Sequence, residues 1–126
     1  MVAIQIQESE AMDRLTILLI KIEKGRDFPD IQKKLIDEAN ELQKTIVAAI
    51  TEGVASLVFR TPEYIDLFLV NKKLFEAVDL AKTDAIKASE VDSLVSTRYL
   101  TKKKLQEKFF NSQYKEIKLG YTKITN

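Results

Sequence analysis

The chain has 126 residues, 45% of them hydrophobic and 31% charged, a balance that suits one globular domain and excludes an intrinsically disordered segment. With no Cys and no His, it offers no disulfide, thiol nucleophile, structural zinc site of the usual kind or imidazole acid–base pair. Net charge is +1, yet residues 1–97 carry 12 Lys/Arg against 17 Asp/Glu, a net −5, while residues 98–126 carry 8 against 2, a net +6.

Val2, Ile4 and Ile6 alternate with Ala3, Gln5 and Gln7, a period of two that predicts a short N-terminal strand. No basic segment followed by a long apolar run opens the chain, so no signal peptide is expected. Ser9 is placed to cap a helix over 10–24, with Gly25 to end it. In this helix Leu15, Ile17, Leu18, Leu19, Ile20 and Ile22 point all round the axis. An amphipathic surface helix keeps one side polar, so this one is expected to be covered on several sides, partly by another subunit. The apolar stretch Leu15 to Ile22 contains Thr16 and Lys21 and is too short to span a bilayer, which makes a cytoplasmic protein with no membrane partner the expectation.

Asp27-Phe28-Pro29-Asp30 reads as a turn, with Asp30 as the cap of a second helix over 30–52. Ile31, Leu35, Ala39, Leu42, Ile46, Ala49 and Ile50 then step by three and four. The apolar piece Val54 to Phe59 is too short to assign. Thr61-Pro62-Glu63 starts a third helix, 62–82, with a capping hydroxyl, Pro at the first helical position and an acid against the positive helix end. Its stripe is Tyr64, Leu67, Phe68, Asn71, Leu74, Phe75 and Val78. After a break over 83–89, Val91, Leu94, Val95, Arg98, Lys102, Leu105 and Phe109 form the stripe of a fourth helix, 89–111. Ile117, Leu119 and Tyr121 alternate, so the tail 113–126 is expected to be extended and able to pair with the N-terminal strand. With only 3 Gly and 2 Pro, the turn supply is too small for a β-sandwich. The predicted fold is all-α: residues 1–126 as one antiparallel four-helix bundle with short extended N- and C-terminal segments.

Two polar features interrupt the buried stripes. Asn71 lies amid Phe68, Leu74 and Phe75, and Arg98 and Lys102 lie on the stripe of the fourth helix. A buried Arg or Lys needs a partner, because desolvating its charge costs several kcal/mol. A hairpin of the third and fourth helices would pair Asn71 with Lys102 and Asp79 with Arg98, a polar layer that sets register. The same residues would otherwise form a cationic pocket for a carboxylate or phosphate ligand.

Five pairs of acids stand at i, i+3, about two more than chance places among 19 acids. Two of them, Glu38/Glu41 and Glu76/Asp79, each put two carboxylates on one helix face, the type of arrangement that holds magnesium on a triphosphate. This pattern resembles the all-α nucleotide pyrophosphohydrolases of the MazG type, which combine Glu-Glu-x-x-Glu with a downstream Glu-x-x-Asp. Position 37 here is Asp. Solvated helix faces are the plainer reading, with no cofactor, and a magnesium-dependent hydrolase using Glu38, Glu41, Glu76 and Asp79 is the alternative. The run Lys102-Lys103-Lys104 is expected to be a solvated basic face. Glu107 interrupts it, and no aromatic platform or helix-turn-helix spacing accompanies it, so a nucleic-acid partner is not expected.

Three stretches carry a resemblance to a known family. Ser9-Glu10-Ala11-Met12-Asp13-Arg14-Leu15-Thr16-Ile17-Leu18-Leu19-Ile20-Lys21-Ile22-Glu23 is similar to an opening Gly-Glu-Leu-x-Asp-Lys-x-Thr-Ile-Leu-x-Ile-Lys pattern. Val70-Asn71-x-x-Leu74-Phe75-x-x-x-Asp79 resembles a mid-chain Asn-x-x-Leu-Trp segment, with Phe for Trp. Glu116-x-Lys118 is like an acidic–Lys motif near the end. The family is the uncharacterised bacterial and phage group known as domain of unknown function 6165. The resemblance implies a helical domain of undefined activity, sometimes encoded near surface-polysaccharide genes, and it singles out Glu10, Asp13, Lys21, Asn71 and Asp79. Together these readings predict a non-catalytic, homo-oligomeric assembly or accessory protein. The alternatives are the magnesium-dependent hydrolase and a small anionic-ligand binder around Arg98 and Lys102.

Overall fold

Proline opens two of the long helices at the first helical position, Pro29 and Pro62. The computed structural model describes residues 4–82, 87–110 and 116–119. Strand β1 (Ile4–Gln7) runs directly into helix α1 (Glu8–Lys24), which starts two residues earlier than Ser9 capping predicts. Gln7 is extended and makes no side-chain cap, so Glu8 and Glu10 in the first turn supply the negative charge that a helix N-terminus favours. Gly25 closes α1 as expected, its N–H donating to Lys21 O at 2.9 Å.

Helix α2 (Pro29–Ile50) opens on proline, which places Asp30 inside the first turn rather than at the cap. It ends before Glu52 because Thr51 adopts φ 79 and ψ 154, a conformation that no helix continues through. The unassigned apolar piece is a fifth helix, α3 (Glu52–Val58), whose Val54 N–H donates to Thr51 Oγ1 at 3.4 Å. Among the described residues the helices therefore number five rather than four. α4 (Pro62–Lys82) starts as predicted, with Tyr64 N–H donating to Thr61 Oγ1 at 3.3 Å. α5 (Ala88–Phe109) follows. Strand β2 (Glu116–Leu119) returns antiparallel to β1, with Ile4 opposite Leu119 and Gln7 opposite Glu116, so the two ends of the described chain close on each other. The remainder of the predicted break at 83–86 and of the tail lies outside the described residues.

α1 is the central element. It packs against α2 on one side and against both members of the α4–α5 hairpin, while β2 rests on α2. The core is built from Met12 and Leu15 of α1, Ile46 and Ile50 of α2, Val58 of α3, Leu67 and Val70 of α4 and Leu105 of α5, all buried. Burying one such side chain contributes about 1.5–3 kcal/mol. The expectation that α1 is covered on several sides holds for Leu15 and Ile20, but Leu19 is exposed and Ile17, Leu18 and Ile22 are half-buried. No helix among the described residues is long and apolar enough to cross a membrane.

Candidate functional site: a polar ladder between α1, α4 and α5

The polar residues on the buried stripes converge on a residue of α1. Asp13 and Thr16 stand at i, i+3 and so share one helix face, and both are fully buried. Asn71 of α4, itself buried, spends both protons of its amide on them: Nδ2 donates to Asp13 Oδ1 at 2.8 Å and to Thr16 Oγ1 at 2.8 Å. The Thr16 hydroxyl in turn donates to Asp13 O at 2.7 Å. From α5, Arg98 meets the same carboxylate as a fork, Nε donating to Oδ1 at 3.0 Å and Nη2 to Oδ2. Lys102 Nζ stands 3.9 Å from Asp13 Oδ2 and bonds Glu10 Oε1 at 2.9 Å. The bidentate fork explains why an Arg is present: it matches both carboxylate oxygens, which an ammonium cannot. The Asp13 hydrogen bond holds the Arg98 guanidinium above its ordinary range, against a smaller opposite push from partial burial.

A second rung lies one turn further along α5. Gln106, buried, accepts from Ser9 N–H at 2.9 Å and donates from Nε2 to Glu8 Oε1 at 3.0 Å. One helix-terminal N–H of α1 is thereby satisfied by a side chain 97 residues away. Glu8 is fully buried, and its Oε2 has no hydrogen-bond partner among the described residues. Arg98, Lys102 and Gln106 thus recur every fourth residue on α5 and meet Asp13, Glu10 and Glu8 in reverse order on α1, as antiparallel helices require.

The pairs expected from a two-helix hairpin are replaced. Arg98 bonds Asp13, and Asp79 is exposed on α4; Asn71 bonds Asp13 and Thr16, and Lys102 bonds Glu10. The reason is that α1 packs against both helices, so their polar groups meet it before they meet each other. Lys21 is exposed and stands outside the cluster. Glu38 and Glu41 are exposed on α2, and Glu76, exposed on α4, lies 3.8 Å from Lys24 Nζ. Among the described residues no three carboxylates are grouped so as to hold a metal ion. Glu8, Thr16 and Gln106 are the members that sequence reasoning missed. The four-residue spacing of Arg98, Lys102 and Gln106 is the signal in the sequence that points to Gln106.

Chemically, the ladder is largely self-satisfied. Asp13 receives donors on both oxygens, and Arg98 and Lys102 turn their charge onto Asp13 and Glu10. Such an arrangement sets which turn of α5 lies beside which turn of α1, because a slip of one turn would strand a buried carboxylate. No protein-family model, curated protein or solved structure matches this chain.

Proposed function

We propose that this chain is a cytoplasmic, homo-oligomeric helical accessory protein without a catalytic role, related to the domain of unknown function 6165 group. Its four long helices, α1, α2, α4 and α5, act as one bundle with α3 as an elbow. The polar ladder serves the fold, keeping the α4–α5 hairpin in register on α1. The outer helix surfaces serve assembly.

The observation that carries this reading is the apolar surface of the hairpin. Leu69, Val95, Tyr99 and Leu100 are between 47% and 62% exposed. A single exposed Leu needs no explanation, but several large apolar side chains left exposed on both helices of one hairpin are the kind of surface that a partner would cover. The opposed charge of residues 1–97 and 98–126 supports copies of one chain as that partner. Sedimentation velocity and light scattering from low micromolar to near-millimolar protein test it: a rising mass supports assembly, and a monomer throughout refutes it.

A further inference from the structure

The outer face of α4 carries a row that the core does not use. At about 100° per residue, Ile65, Leu69, Lys73, Glu76 and Leu80 fall on one side of the helix, opposite Leu67, Val70 and Leu74. Ile65, Leu69 and Leu80 are 47%, 47% and 45% exposed. Lys73 and Glu76 in the middle of the row are exposed as well. Beside the row, Lys72 is drawn back to Glu23 at 3.4 Å and Glu76 lies 3.8 Å from Lys24, whereas Lys73 has no ion-pair partner among the described residues. Two apolar ends with opposite charges between them make a self-complementary pattern.

We infer that this row binds the same row of a second copy, with the two α4 helices antiparallel about a two-fold axis that crosses the row at the level along the helix midway between Leu74 and Phe75. This deepens the oligomer reading and rests on it. Charge selects the arrangement. Parallel helices in register would set Lys73 against Lys73 and Glu76 against Glu76. An antiparallel pair centred between Lys72 and Lys73 would bring those two lysines together and set Leu69 against Glu76. Centring the axis between Leu74 and Phe75 places Leu69 opposite Leu80 and Lys73 opposite Glu76, each contact occurring twice by symmetry. Two apolar contacts then flank two ion pairs. One pair of helix faces over about four turns falls below the ~1,200 Å² of a stable interface, so the dimer is reversible and concentration-dependent.

Charge reversal tests the pairing with the full chain, using sedimentation equilibrium, with circular dichroism to check that each variant is folded. Lys73→Glu alone, or Glu76→Lys alone, places like charges opposite each other twice and weakens the dimer by about tenfold or more. The double variant Lys73→Glu/Glu76→Lys restores it. An equimolar mixture of the two single variants forms a heterodimer tighter than either variant alone. A wild-type dimer that neither single reversal weakens overturns the α4 interface while leaving oligomerisation intact. A wild-type chain that stays monomeric overturns both.

Discussion

Removing either partner of the Asp13–Arg98 pair leaves a charge behind, but the two remaining charges are not in equal surroundings. The Asp13 side chain is wholly inaccessible, whereas the Arg98 side chain keeps 30% of its surface in solvent. In Arg98→Met the aliphatic stem still packs, but the buried carboxylate keeps only Asn71 at 2.8 Å and Lys102 at 3.9 Å. That variant should lose about 3–5 kcal/mol, the usual cost of stranding a buried charge. In Asp13→Asn the carbonyl still accepts from Asn71, and the guanidinium can turn its fork towards water through its exposed edge, so the loss should be about 1–2 kcal/mol. The double variant strands no buried charge, only the neutral amide NH2 at position 13, and should be more stable than Arg98→Met alone by about 1–3 kcal/mol. Urea unfolding at one fixed protein concentration, with comparable slopes, gives all three values. A loss from Asp13→Asn equal to that from Arg98→Met, or a loss under about 1 kcal/mol from Arg98→Met, would mean that Asp13 is not a stranded buried charge.

The second rung, the α2–α3 junction and two titrating groups give further expectations. Gln106→Met leaves the Ser9 N–H and the Glu8 carboxylate both unpaired, and should lower stability by about 2–4 kcal/mol; a change within experimental error in urea unfolding would contradict the rung. Thr51→Gly relieves a backbone conformation that only glycine adopts readily and loses only a weak cap, so thermal unfolding should show a gain of about 1 kcal/mol. Burial pushes the Tyr64 phenol up to about 12 from 10.0. Its neutral form is therefore favoured in the fold: the contribution is complete below pH 10 and about 2–3 kcal/mol is lost as pH rises towards 12. Tyr64→Phe should lack that alkaline loss when unfolding midpoints are compared across the range. The hydrogen bond from Lys108 holds Glu63 below its ordinary value of 4.5. That contribution is present above pH 4.5 and fades as pH falls through the lowered value, and Lys108→Ala should flatten this part of the acid limb.

The local pattern of the sequence already determined the four long helices, α1, α2, α4 and α5, though not the short α3. Apolar residues at three- and four-residue steps, Pro29 and Pro62 at the first helical positions, and Gly25 after α1 are short-range signals, readable because a helix is held by bonds between near neighbours. The tertiary structure decided what the polar interruptions are for. Asn71 and Arg98 were visible as buried-stripe residues, but their shared partner Asp13 lies 58 and 85 positions away on a helix that packs against both. Nothing in local spacing shows that α1, rather than the neighbour in the hairpin, reaches them first. The end of α2 was legible to within two residues, but the positive φ of Thr51 and the helix α3 that follows it were not, because a β-branched residue carries no local signature for that conformation and a seven-residue apolar piece is too short for periodicity to assign. Periodicity tells which face of a helix is buried, while the identity of what it meets depends on how separate helices dock, which distant contacts alone determine.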